Sequence, residues 1–314
     1  MKRSVIYSLL AATILCAACD DRQDAEEDFA LTNAPTQLQS TPDYNGENAY
    51  IHCAALCKLG PRPSGSAAYK KQLDYLSRYL LEYGWTVTQQ EFTAPNGTPM
   101  FNLHAVYGDF DAARPVIVSC HIDTKTGISD DFQGADDGAS GAAVMIELAR
   151  ILAAKPEDAG QIELVFFDGE ESFAPRMTEK DGLYGSKHDV ARRGNQLPLY
   201  QINLDMVGAR NKIIKVPMFD TDPELAEYFD ASVQELKLNE KKWQIADVAY
   251  MDDDQPFREA GVATINIIAD FVNSIWWHTP RDNMSRICPT SLKESGMLTH
   301  AMLRRILSAR HVQH

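Results

Sequence analysis

The chain has 314 residues, of which 45% are hydrophobic and 24% charged. That is enough length and apolar content to bury a sizeable core in one large domain or two ordinary ones. A formal net charge of -14 excludes nucleic acid as a partner, because such ligands need a basic footprint.

Residues 1–19 carry the marks of an export signal. Lys2 and Arg3 form the positive end, residues 5–15 an apolar stretch too short to span a membrane, and Ala17-Ala18 a small-residue cleavage site. Removing it makes the mature chain more acidic by the charges of Lys2 and Arg3. Cys19 follows directly and resembles the lipid-acceptor cysteine of bacterial lipoproteins, although Cys16 stands where a leucine is usual. Simple secretion is the alternative; a lipid anchor here would change only the membrane assignment. Residues 20–43 are polar, acidic and poor in apolar side chains, and read as a disordered tether. Residues 44–314 remain as one folded domain. Its cysteines, Cys53, Cys57, Cys120 and Cys288, are too sparse for a disulfide scaffold, and buried free thiols are expected.

In chain order, residues 45–58 read as a helix, ended by the turn-rich stretch Gly60-Pro61-Arg62-Pro63-Ser64-Gly65-Ser66. Leu73, Leu76, Tyr79, Leu80 and Leu81 give residues 69–83 a helical spacing, closed by Gly84. Residues 85–88 alternate as a strand whose partner, 101–106, lies across a Pro95-Asn96-Gly97 turn. Residues 115–119 are a buried-strand run leading into His121 and Asp123. A Gly-rich loop, 134–141, opens a helix at 142–154. Residues 161–167 form another apolar run, broken by Asp168-Gly169 and followed by Glu170-Glu171. A polar excursion, 172–182, precedes a helix from about residue 186. Residues 200–204 form a strand ending at Asp205, 223–236 a helix, 263–268 a strand and 291–308 a final helix. This alternation predicts an α/β fold, a single catalytic domain with a mixed, largely parallel central sheet covered by helices on both faces.

In such sheets ligands bind beyond the carboxyl ends of the strands. His121 with Asp123, Asp137, Glu170 with Glu171, Asp205 and His278 all fall after predicted strands or in the Gly-rich loop. Each alone has a bland reading: a solvated acidic turn, or a satisfied core histidine. Together they are the nitrogen and oxygen donors that Zn²⁺ takes. Asp123 stands two residues after His121, where it could accept that histidine's second ring proton.

These landmarks resemble the metallopeptidase superfamily that holds the co-catalytic zinc aminopeptidases and the glutaminyl-peptide cyclotransferases, over residues 49–303. They include Gly60–Ser66, His121–Asp123, Gly134–Asp137, Phe166–Glu171, Asn203–Ala209 and Trp277-His278-Thr279. The long excursion after Glu171, the stretch Asp252-Asp253-Asp254-Gln255-Pro256-Phe257 and Trp277 before the histidine are similar to the cyclotransferase branch. The resemblance implies that Asp137, Glu171 and His278 hold a single Zn²⁺ and that Glu170 is the proton shuttle. It implies also that Asp205 and Asp252 form an acidic hydrogen-bond network beside Glu170 and that Trp277 belongs to the pocket wall. Phe271 and Trp276 are read as ordinary core aromatics. In the aminopeptidases Asp137 would bridge two zincs, with His121 and Asp205 completing the second site, and the presence of these ligands does not decide the metal count. Three departures stand out. Asp254 replaces a family histidine, Arg176 falls roughly where animal cyclases place an aromatic pocket residue, and the cysteine expected to pair with Cys120 is missing from the Gly-rich loop.

The implied function is an exported enzyme, periplasmic or anchored to a bacterial envelope membrane only through lipid on Cys19. It would convert the N-terminal glutamine of peptides or proteins to pyroglutamate with release of ammonia. The alternatives are a zinc aminopeptidase acting on peptide N-termini and a non-catalytic binding protein on the same fold. Retention of Glu170 disfavours the last.

Overall fold

The computed structural model describes residues 38, 43–108, 110, 115–272 and 274–312; the export signal, Cys19 and nearly all of the tether expected at 20–43 lie outside them. Helix α1 (Gly46–Cys57) starts at Asn45, whose side-chain oxygen accepts the backbone N–H groups of Glu47 and Asn48. Helix α2 (Ala67–Glu82) is capped by Ser66 and buries Tyr69, Leu73, Leu76 and Leu80, one stripe at the three-to-four spacing. Strands β1 (Trp85–Thr93) and β2 (Pro99–Tyr107) pair antiparallel as the predicted hairpin. Then follow β3 (Val116–His121), α3 (Ala139–Leu152), α4 (Pro156–Ala159), β4 (Ile162–Phe167), α5 (Tyr184–Arg193) and β5 (Tyr200–Asp205). The chain continues through β6 (Ile214–Pro217), α6 (Pro223–Glu235), β7 (Trp243–Ala246), α7 (Gln255–Glu259), β8 (Ala263–Ile268) and α8 (Pro289–Val312).

The main sheet has the order β1-β2-β4-β3-β5-β8, with β4, β3, β5 and β8 parallel. Every residue of β3 and β4 is buried, which is why both read as largely apolar runs rather than alternating ones. From β3 the chain moves to one neighbour, β4, then crosses back to the other, β5. That reversal is the switch point at which an open parallel sheet leaves a crevice beyond its carboxyl ends. Register brings His121 level with Phe167, and Asp205 level with Ile268, so the polar residues that follow emerge along one edge.

Helix α3 lies beneath that edge with every residue but Arg150 buried. It approaches the strands closely because Gly141 has no side chain: a Cβ there would stand 2.8 Å from the Cβ of Cys120 and 2.9 Å from the carbonyl oxygen of Leu204. α3 begins at Ala139, earlier than the expected residue 142, since its first turn is made of small residues with no periodic signal. The two-stranded parallel sheet β6-β7 and the short helices α4 and α7 have no counterpart among the predicted elements. Their four or five residues are too few to establish a period. Cys53, Cys57, Cys120 and Cys288 are buried free thiols, as expected. Among the described residues no helix is long and apolar enough to cross a membrane.

Candidate active site

Five segments distant in sequence converge at the crevice. His121, the last residue of β3, places Nε2 3.1 Å from Oδ1 of Asp137 and 3.2 Å from Oδ1 of Asp205. His278, from the loop after β8, places Nε2 2.9 Å from Oε1 of Glu171 and 3.4 Å from Oδ2 of Asp137. Asp137 therefore belongs to two clusters, His121–Asp137–Asp205 and Asp137–Glu171–His278, and in each the candidate ligand atoms lie within 4.8 Å of one another.

The electrostatics are those of a cation site. Burial pushes the His278 imidazole toward neutrality, but Asp137 and Glu171 outweigh it and carry its pKa up to about 10. The same balance, struck with Asp123, Asp137 and Asp205, raises His121 well above its ordinary value. Burial acts upward on Asp137, yet the two imidazoles hold it well below the usual carboxylate range. Oδ2 of Asp137 is buried without a hydrogen bond. Carboxylate oxygens and imidazole nitrogens in this arrangement are the donor set of Zn²⁺, which would replace the imidazole protons, so the residues fit the ion.

Two further carboxylates hold the backbones of the candidate ligands. Asp123 accepts the backbone N–H groups of Glu170 and Glu171, each at 3.1 Å, one on each oxygen. Asp282 does the same for Asp136 and Asp137, at 2.8 and 3.1 Å. This corrects the expected role of Asp123: it lies 3.7 Å from Nδ1 of His121, too far for a hydrogen bond, and that nitrogen is buried without a partner. Its carboxylate is already committed to the amides of the acidic pair. Arg62, fully buried, donates to the carbonyls of Gln133 and Gly134 at 2.7 and 3.1 Å and so pins the start of the Gly-rich loop. Gly138 takes φ +99°, and a Cβ there would stand 2.8 Å from the carbonyl oxygen of Asp123. His278 itself sits at φ 51°, a conformation costing a non-glycine residue about 1 kcal/mol or more, which the surrounding contacts must impose.

Glu170 stands at the wall of a cleft of about 640 Å³ that also exposes Asp137, Glu171, Asp205 and His278. It is only 8% exposed, and among the described residues its carboxylate takes part in no hydrogen bond. Burial pushes its pKa well above the ordinary range; His121 pulls it down, while Glu171, Asp252 and Asp253 add like charge. Burial and the neighbouring Asp252 likewise lift Asp205 to about 8. Asp252 acts on both acids through its charge rather than through the expected hydrogen bonds. Its oxygens are taken by the side-chain amide of Asn266 at 2.7 Å and the backbone of Asp253 at 2.6 Å. Asp254 is buried, 3.9 Å from Arg258, and does not line the cleft.

Trp277 stacks on His278 with ring centroids 4.0 Å apart and lines the cleft, as expected. Phe271, read as a core aromatic, instead packs between Tyr250 and Trp277 in the cleft wall, whereas Trp276 is buried. Phe271 gave no periodic signal because it lies in a loop. The sequence also concealed Lys125, whose buried ammonium donates to Ser172 and Ala174 and lies 3.5 Å from Glu171. Asp282 was likewise concealed. The only hints are their places, in the segments that follow His121 and His278.

A family model for peptidase family M28 matches residues 102–303. The chain is 30% identical to the mouse glutaminyl-peptide cyclotransferase-like protein over 74% of this chain and 68% of the relative. Among solved structures it is similar to Porphyromonas gingivalis glutaminyl cyclase, with a TM-score of 0.75, 28% identity, and 83% and 98% of the two chains covered. A Zn-dependent exopeptidase from Parabacteroides distasonis matches with TM-score 0.75 and 27% identity over 84% and 99% of the chains. With the strand-end acids and imidazoles gathered into one crevice, these matches establish that the chain belongs to peptidase family M28, on the branch of the glutaminyl-peptide cyclotransferases.

Proposed function

We propose that the protein is a zinc-dependent glutaminyl-peptide cyclotransferase that converts the N-terminal glutamine of peptides or proteins to pyroglutamate. The observation that carries this reading is Glu170: a buried carboxylate with no hydrogen-bond partner among the described residues, raised in pKa, at the wall of a cleft beside the Asp137–Glu171–His278 cluster. Asp137, Glu171 and His278 would hold the ion, which supplies a Lewis acid for the side-chain amide carbonyl. The substrate's α-amine attacks that carbonyl carbon; the new C–N bond closes the ring, and the bond to the amide nitrogen breaks. Glu170 takes the proton from the attacking amine and returns it to the departing nitrogen, which leaves as ammonia. A carboxylate serving as base and then acid needs a pKa above the ordinary, and burial with like-charged neighbours raises Glu170 in that direction. Trp277 and Phe271 wall the cleft and limit water at the reacting carbon. Export, with lipid on Cys19, is part of the same proposal, so the substrates would be N-termini met outside the cytoplasm.

One observation favours a second reading. Asp137 is shared by two ligand clusters, and His121 with Asp205 would complete a second metal position, the arrangement of a two-zinc aminopeptidase. Zinc-loaded protein offered a Gln-initiated peptide amide and a Leu-initiated chromogenic amide separates the two. Ammonia release from the first without cleavage of the second supports cyclisation, and the reverse overturns it.

A further inference from the structure

We infer that Arg176 makes this site select substrates whose residue after the N-terminal glutamine is acidic. The inference rests on the cyclotransferase reading and concerns the same cleft. Arg176 is exposed and lines the cleft, and among the described residues it forms no hydrogen bond, ion pair or ring contact. An unpaired guanidinium is conspicuous in a wall whose other cleft-lining neighbours include Met177, Tyr250, Phe271, Val272 and Trp277.

The loop that carries it is built to hold it there. The backbone N–H groups of Phe173 and Ala174 each donate to one oxygen of Asp181 at 2.8 Å. Thr178 and Asp181 exchange two backbone hydrogen bonds at 3.0 Å. Lys125 holds the carbonyls of Ser172 and Ala174 at 2.6 and 2.9 Å. These ties stop on either side of residues 175–177, so Pro175, Arg176 and Met177 form a tip with fixed flanks at the cleft. Met177 packs so closely on Gly182 that a Cβ there would meet its Cγ at 2.7 Å.

The acids Asp137, Glu170, Glu171 and Asp205 occupy the reacting end of the cleft. With the glutamine placed there, the peptide leaves toward the exposed rim, where Val272 is 66% and Trp277 36% exposed. An extended chain advances about 3.5 Å per residue, so the second residue is the first to clear the reacting end and meet the tip. In a chain of net charge -14 an acidic peptide is repelled at long range; Lys125 in the same cleft is buried and held by Ser172 and Ala174, so Arg176 is the exposed cation that reverses this at the mouth. A guanidinium also suits a carboxylate better than an ammonium does, because it offers a planar pair of donors.

C-terminally amidated Gln-Glu-Ala, Gln-Gln-Ala and Gln-Lys-Ala test this, since their only variable charge is the second side chain. For the wild type, kcat/KM for Gln-Glu-Ala should exceed that for Gln-Gln-Ala about three- to fivefold, the range of an exposed ion pair, and the excess should shrink as salt is added. Arg176→Gln should bring the ratio close to unity, Arg176→Lys should keep part of it, and Arg176→Glu should turn the preference to Gln-Lys-Ala. A ratio that is flat in the wild type, or unchanged in Arg176→Gln, overturns the inference. Binding of the same peptides, read by tryptophan fluorescence, gives the ratio without turnover. A protein that releases no ammonia from any of them would refute the cyclotransferase reading, while the binding ratio still decides on Arg176.

Discussion

Buried carboxylates stand near the start of strand β4 and just beyond its end, and the two places treat them in opposite ways. Near its start, Glu163 lies 2.8 Å from His104 and 2.9 Å from Arg193, and Arg193 reaches Asp189 at 2.7 Å. Burial would raise Glu163, but His104 and Arg193 outweigh it and bring its pKa down to about 2. Just past its end, Glu170 has no such partner and is pushed up. Burial alone therefore does not mark a working group. The difference is compensation: acids matched by cations hold the fold, whereas acids gathered beyond the supply of cations await one, or carry a proton.

Arg193→Ala leaves Glu163 and Asp189 buried without their guanidinium and should cost about 3–5 kcal/mol of stability, read from urea midpoints. Turnover per folded molecule should stay close to wild type. Loss of activity beyond the unfolded fraction would mean that this cluster also serves the site.

At the uncompensated end, Asp282→Asn replaces one acceptor oxygen under the backbones of Asp136 and Asp137 with a donor. Zinc affinity, measured by competition with a chelator, should weaken by about 10–100-fold, as expected for a group that orients a ligand. Unchanged affinity would show that the Gly-rich loop holds its shape without this carboxylate.

The smallest and most general effect is the sign of the pH dependence in zinc-free protein. Glu163 has a depressed folded pKa, so its contribution is present above its unfolded value of 4.5 and is lost as pH falls toward about 2. Asp282 is raised by burial and by Asp136 and Asp137, from 3.8 to about 8, and Asp136 by burial from 3.8 to about 6. Their folded forms bind protons that the unfolded chain has released, so stability declines as pH climbs through those windows. Zinc-free protein should therefore be most stable at mildly acidic pH, and zinc should move the maximum upward. A zinc-free midpoint rising steadily from about pH 4 to 8 would contradict this assignment of charges.

Much of the site was legible because the fold is simple where it matters. Parallel strands buried on both faces read as largely apolar runs, and the polar residues at or just beyond their ends, His121, Glu170 and Glu171, are where the crevice begins. Less visible were contacts that depend on which oxygen faces which group. Asp123 looked like a partner for His121 by proximity in sequence, yet it holds backbone 47 and 48 residues away. Asp282 reaches its partners across 146 and 145 residues. No spacing rule anticipates such distances. Arg176 was visible only as a departure from a family aromatic; its cleft position depends on hydrogen bonds to Asp181 and Lys125 that leave no periodic trace.

On the proposed reading, Asp137, Glu171 and His278 would bind the metal while Glu170 beside them would move the proton. Glu170→Gln, with zinc content and ammonia release measured on the same preparation, separates these jobs. Zinc should be retained at the wild-type level while turnover falls by about 10²–10⁴-fold. Parallel loss of zinc, or turnover that survives the substitution, would contradict the account.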